Sequence, residues 1–198
     1  MNTASHPLAA RNTDWQFQPL VSSRVPAPWR RCLLDSGSLT ARLVAASRGN
    51  FRVQVLKQDL GRVQAPESRL LGLPRGRRAI IREVVLYGND TPWVFARSIL
   101  PLSTLTGRQR RLRRLDARPL GALLFADPSM RRGPMQLGQV ASLNLPLPGG
   151  ADENTGLLWG RRSVFFLDGK PLLVSEIFLP AFSPYNEPCP QRKPQAEP

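Results

Sequence analysis

Alternation between apolar and polar positions dominates this chain. In residues 51–58 (FRVQVLKQ), Phe51, Val53 and Val55 fall on one side and Arg52 and Gln54 on the other, the period of a half-buried strand. Two longer apolar runs, AIIREVVLY (79–87) and PWVFARSIL (92–100), flank Gly88, Asn89, Asp90 and Thr91 and predict a hairpin. A second hairpin is predicted from LLWGRRSVFFL (157–167) and PLLVSEIFL (171–179), joined through Asp168, Gly169 and Lys170. A further strand is expected over 134–140. Helical spacing is confined to short stretches. Leu39, Leu43 and Ala46 recur behind a cap offered by Asp35, Ser36, Gly37 and Ser38. Residues 101–116, with Ser103 or Thr106 as cap and Leu105, Leu112 and Leu115 inward, predict one short helix; 119–127, with Pro119 at the first position, predict another. The Pro-, Gly- and Arg-rich stretch 66–78 reads as a connection, and 142–154 as a loop. The fold class is α+β: a single antiparallel sheet with helices on one side or across its ends.

Composition narrows the function classes. With 41% hydrophobic residues in 198, the chain can build one core, placed at 15–185 between a flexible lead (1–14) and a Pro-rich disordered tail (186–198). No apolar run reaches the roughly 18 residues of a membrane span, because Asp168, Lys170 and Glu176 interrupt the richest region. The N-terminus lacks the basic and apolar regions of a secretory signal, so the cytosol is the expected compartment. Cys32 and Cys189 form no metal-ligand spacing, and the one histidine, His6, sits in the polar lead. Nucleophilic triads and histidine-based metal sites are therefore not expected, and neither phosphate-binding glycine loop is present. No metal and no cofactor are called for. Any catalysis falls to Arg, Asp, Glu, Tyr, hydroxyl and backbone groups.

The formal charge is +14, from 28 basic against 14 acidic residues, and only Lys57, Lys170 and Lys193 are lysines. The densest basic tract, 108–118, reads as a solvated helix face. Its competitor is a salt-sensitive nucleic-acid surface, which no accompanying motif supports. More informative are charges inside apolar strands, where burial is costly without a partner or ligand. Arg82 shares a strand face with Ile80 and Val84, and Glu176 with Val174 and Phe178; each is either a solvent-facing or ion-paired residue or part of a site. Glu83, on the opposite face from Arg82, is expected to be exposed. Arg97 and the Arg161/Arg162 pair pose the same question, and at most one of that pair faces inward. If Arg82 and another of these arginines converge, the cavity suits a small dianionic organic acid, because guanidinium matches carboxylate in bidentate geometry.

IREVVLYGNDTPWVFARSILPLSTLTG, then RPLGALLF, then GLLWGRRSVFFLDGKPLLVSEIFLPAFSPY, in this order, resemble bacterial chorismate pyruvate-lyase over roughly 29–185. The resemblance implies a single antiparallel sheet with a ligand buried beneath helical flaps. It also implies cofactor-free conversion of chorismate to 4-hydroxybenzoate and pyruvate at the start of ubiquinone biosynthesis. By the same resemblance Arg82 binds the substrate carboxylate, Glu176 lies near the product hydroxyl, and Leu120 contacts ligand through its main chain. Leu39 stands where the family has a contacting methionine, and Arg97 matches another arginine near the cavity. Arg82 and Glu176 are the expected catalytic pair, and Arg97 or one of Arg161 and Arg162 the expected holder of the enolpyruvyl carboxylate. The tail after Tyr185 and the loop 142–154 are extra length against the family pattern. Chorismate and 4-hydroxybenzoate are the expected partners of a monomer, with no nucleic acid. The alternatives are a non-catalytic sensor domain of related fold for an aromatic carboxylate, and a basic nucleic-acid-binding protein.

Overall fold

The computed structural model describes residues 15–142, 145–148 and 156–182. The N-terminal lead with His6, the tail with Cys189 and most of the loop expected at 142–154 lie outside the described residues.

Among the described residues the chain forms one antiparallel sheet of eight strands. These are β1 (Gln16–Phe17), β2 (Phe51–Arg62), β3 (Arg78–Gly88), β4 (Thr91–Pro101), β5 (Arg131–Arg132), β6 (Gln136–Ala141), β7 (Leu157–Leu167) and β8 (Lys170–Phe178). The order across the sheet is β1-β6-β7-β8-β4-β3-β2, with β5 pairing β7 off that path. Both expected hairpins form. Asn89 and Asp90 take positive φ in the first turn, as Asp168 and Gly169 do in the second, which is why Asn, Asp and Gly stand there. The second hairpin inserts against the first through β4 and β8, which brings Ala96 beside Glu176 and Ser98 beside Val174.

Helices cover both faces. On the front lie α2 (Ala27–Leu33), α3 (Leu39–Ala46), the 3-10 helix Gly107–Arg113 and α5 (Leu120–Phe125), while α1 (Gln18–Val21) follows β1 directly. Ser38 caps α3, accepting from the Ala41 amide at 3.3 Å. The expected helix over 101–116 is this shorter 3-10 turn, and Pro119 takes the cap position of α5 rather than its first turn. The stretch 66–78, expected to be a plain connection, opens with α4 (Ala65–Leu70) on the back face. Pro66 is tolerated in the first turn, where amides have no helical partner, and Glu67 turns back to accept from the Gln64 amide at 3.1 Å.

Two apolar clusters occupy the front. One packs Leu33, Leu39 and Leu43 on Val84, Leu86, Val94 and Phe178; the other packs Leu105, Leu112, Leu115, Leu120 and Leu124 on Leu100, Phe165 and Leu172. The back holds Val85, Phe95 and Ile177 near Leu145, and Ile81, Ile99 and Leu173 near Leu71. With both faces covered, β3 and β4 read as nearly unbroken apolar runs.

Candidate functional site

Between the two front clusters the sheet is not covered by apolar packing. A cavity there is floored by Arg82 and Val84 of β3, Ala96 and Ser98 of β4, and Val174 and Glu176 of β8. Leu39 and Thr40 of α3 and Leu120 and Gly121 of α5 roof it, and Arg132, Arg161 and Phe165 close one end. Ala96 and Ser98 are the smallest side chains on this stretch of floor. A larger residue at either would fill the space between Arg82 and Glu176.

Arg82 is only 2% exposed. Its guanidinium donates to Gln58 Oε1, to the Asp116 carbonyl at 2.8 Å and to the Arg118 carbonyl at 3.1 Å. No carboxylate among the described residues pairs with it. Burial draws its pKa below the usual arginine value, with Asp116 acting in the other direction. An inward cation hydrogen-bonded to neutral oxygens alone is well oriented and is not consumed by an ion pair.

Arg161 is buried more deeply, at 1% exposed, but its charge is spent within the protein. Nε donates to Glu176 Oε2 at 2.6 Å, and one terminal nitrogen donates to the Cys32 and Asp35 carbonyls, both at 2.7 Å. Burial is the largest influence and opposes that charge, but Glu176, through its charge and hydrogen bond, acts together with Cys32 and Asp35 to raise the pKa. Glu176 Oε1 has no protein donor among the described residues. The Cys32 thiol beside this group is pushed up by burial, which keeps it protonated and unreactive.

The structure therefore gathers Arg82, Glu176, Leu39 and Leu120 around one cavity. Arg97 is not among its walls. In the β3–β4 register Arg97 sits across from Glu83, on the other face from Arg82. There it is buried between two acids: Nε donates to Glu67 Oε1 at 2.8 Å and a terminal nitrogen to Glu83 Oε1 at 2.5 Å. Burial opposes its charge, and the hydrogen bonds and charges of Glu67 and Glu83 raise its pKa above the usual arginine value. Glu83, expected to be exposed, is buried for the same reason. Of the adjacent pair, Arg161 faces the cavity and Arg162 the back. Arg162 donates to Gln136 Oε1 at 2.8 Å beneath the Trp15 ring, and burial lowers its pKa to about 10.

Pattern reading missed Arg132, Thr40, Ala96 and Ser98 as cavity residues. Arg132 lies in a two-residue strand without periodicity, whereas Ala96 and Ser98 gave a signal: two small residues flanking Arg97 in an otherwise bulky strand. The basic tract is also less free than expected. Arg108 bridges Asp127 and Asp168 at 3.1 and 2.6 Å, and Arg111 reaches Asp127 at 2.6 Å, tying the 3-10 helix to the β7–β8 turn. Among the described residues no group of three or more His, Cys, Asp or Glu is gathered that could hold a metal ion, and no helix is long and apolar enough to cross a membrane.

The free volume of the cavity is about 40 Å³. A benzene-sized guest needs about 150 Å³, so a ring enters only if a wall moves. The roof is made of two short helices that touch where Gly121 meets Thr40. A Cβ on Gly121 would come within 2.5 Å of Thr40 Oγ1, so glycine there permits the closed contact.

Comparison with known proteins agrees with this layout. The family model described as Chorismate lyase matches residues 9–186. A protein of Azoarcus sp. (strain BH72) named "Probable chorismate pyruvate-lyase" is 42% identical over 184 residues, covering 89% of this chain and 94% of that protein. A Pseudomonas aeruginosa protein of the same name is 40% identical, covering 85% and 92%, and one from Psychromonas ingrahamii is 38% identical, covering 93% and 99%. Among solved structures, PhnF from Mycobacterium smegmatis is similar in fold, with a TM-score of 0.52 and 16% identity over 73% of this chain and 64% of that one.

Proposed function

The chain belongs to the chorismate lyase family, and on that premise we propose that it eliminates pyruvate from chorismate to give 4-hydroxybenzoate, the step that opens ubiquinone biosynthesis. The observation that carries this reading to the residues is the buried Arg82 with no carboxylate partner, separated by the small floor residues Ala96 and Ser98 from the free oxygen of Glu176.

Chorismate carries a ring carboxylate at C1, an enolpyruvyl ether at C3 and a hydroxyl at C4. Arg82 takes the C1 carboxylate, and Glu176 Oε1 accepts a hydrogen bond from the C4 hydroxyl at the opposite end of the ring. The Leu39 and Leu120 main chains, at the first positions of α3 and α5, close over the ring, and the first-turn amides there have no helical acceptor. In the reaction the C3–O bond breaks and that oxygen becomes the keto oxygen of pyruvate. The hydrogen on C4 leaves, the enolpyruvyl methylene gains one and becomes methyl, and the ring aromatises. Aromatisation supplies the driving force; the protein's part is to hold the dianion in a reactive conformation away from water. The proposed form is a cytosolic monomer.

Incubation of purified protein with chorismate tests the reading. Equimolar 4-hydroxybenzoate and pyruvate are expected, and intact chorismate beside tight 4-hydroxybenzoate binding would make the chain a sensor instead. Chorismate labelled with deuterium at C4 then traces the hydrogen. Retention in the pyruvate methyl marks direct transfer, and washout into solvent marks passage through a solvent-exchanging base, the role Glu176 would then fill.

A further inference from the structure

Resting on that reading, we infer that Arg132, a residue no motif pointed to, is the anchor for the second carboxylate of the substrate and so distinguishes substrate from product. The inference begins with a charge balance. Three arginines line the cavity, and Arg161 is neutralised by Glu176 at 2.6 Å. Arg82 and Arg132 have no carboxylate partner among the described residues. A dianionic substrate thus meets two guanidinium groups that are not engaged in an ion pair.

Arg132 is held in place by neutral acceptors. Its Nε donates to Ser163 Oγ at 3.0 Å and one terminal nitrogen to the Ser36 carbonyl at 3.0 Å, while the guanidinium lies 5.1 Å from the centre of the Phe165 ring. The other terminal nitrogen has no protein acceptor among the described residues. Such an arrangement fixes the planar group before ligand arrives and leaves donors for an anion.

Its position in the sheet agrees with the shape of the substrate. Arg132 lies beyond β7, Glu176 on β8, Ala96 and Ser98 on β4, and Arg82 on β3, so the two unpaired cations stand at opposite ends of the cavity. Strands lie about 4.8 Å apart, which separates the β3 and β7 backbones by roughly 14 Å. With the C1 carboxylate on Arg82 and the C4 hydroxyl at Glu176, C3 lies at the Glu176 end. The ether there carries its carboxylate toward β7, where Arg132 is. Arg97 and Arg162, on the back of the sheet, cannot reach it.

The test uses two ligands that differ in this group. Arg132→Met keeps the apolar packing on Phe165 and removes the charge. It is expected to lower kcat/KM for chorismate by about 100-fold, chiefly through KM, while 4-hydroxybenzoate, which has no second carboxylate, binds within about threefold of wild type. Arg132→Lys should recover part of the loss, and Arg82→Met should weaken both ligands. Equal weakening of both ligands by Arg132→Met would reduce Arg132 to a structural tie between Ser36 and Ser163, and unchanged chorismate kinetics would also overturn the inference. Absence of turnover in the wild-type protein would instead overturn the lyase reading, so the two failures are distinct.

Discussion

Each face of the sheet carries buried arginines, and one on each, Arg97 and Arg82, are treated in opposite ways. On the back, Arg97 lies between Glu67 and Glu83, so its charge is consumed by the fold. On the front, Arg82 is just as buried but is held by a glutamine side chain and two backbone carbonyls. Ion pairing satisfies a guanidinium and silences it toward ligands. Neutral acceptors fix its geometry and leave its field available. Residue type and burial therefore do not identify a binding arginine; the charge of its partners does so only together with the cavity it faces, since Arg162 on the back is also held by a neutral glutamine.

The largest effect expected from testing this contrast is on stability. Arg97→Met leaves two buried carboxylates facing each other and should cost about 3–5 kcal/mol in urea unfolding, with kcat/KM of the folded protein nearly unchanged. A stable variant without activity would return Arg97 to the site. Arg82→Met should invert that pattern. Chorismate turnover falls by about 100- to 1000-fold while the unfolding midpoint moves little, and a large midpoint shift would make Arg82 another structural cation. Ala96→Leu sharpens the point without touching any charge, because it fills the floor between Arg82 and Glu176. It should weaken 4-hydroxybenzoate binding by about tenfold in calorimetry, and wild-type affinity would place the ring elsewhere. Gly121→Ala is the mildest change. By holding α5 off Thr40 it should speed product release a few-fold in stopped-flow displacement, and an unchanged rate would exclude this contact from closure.

Much of this contrast was legible in the sequence. Alternation in 79–87 and 171–179 put Arg82 and Glu176 on definite strand faces, and Asn, Asp and Gly marked both turns. The side occupied by Arg97 was also implicit, since the first hairpin's register sets it across from Glu83 rather than beside Arg82. Reading charges singly concealed this, because both faces are buried and neither looks polar. Helix α4 had a signature as well, in Pro66 and Glu67 at the first turn, but the glycines and arginines after it suggested a loop. Arg132 had no signal. Its strand is too short for a period, and its environment is made by Ser36, Ser163 and Phe165, which only the tertiary fold brings near.

The central position of β8 also governs how the protein is made. Until residues 170–178 are available, β4 is an open edge presenting the backbone between Val94 and Ile99 to any passing strand. The pairing that completes the binding cavity joins segments far apart in sequence, so the loop-closure entropy is met late and folding is slow for a chain of this size. A nascent chain stalled after β4 and before β8 would therefore be more prone to aggregate than the finished one. The strand that delivers Glu176 to the cavity is also the one that closes this edge.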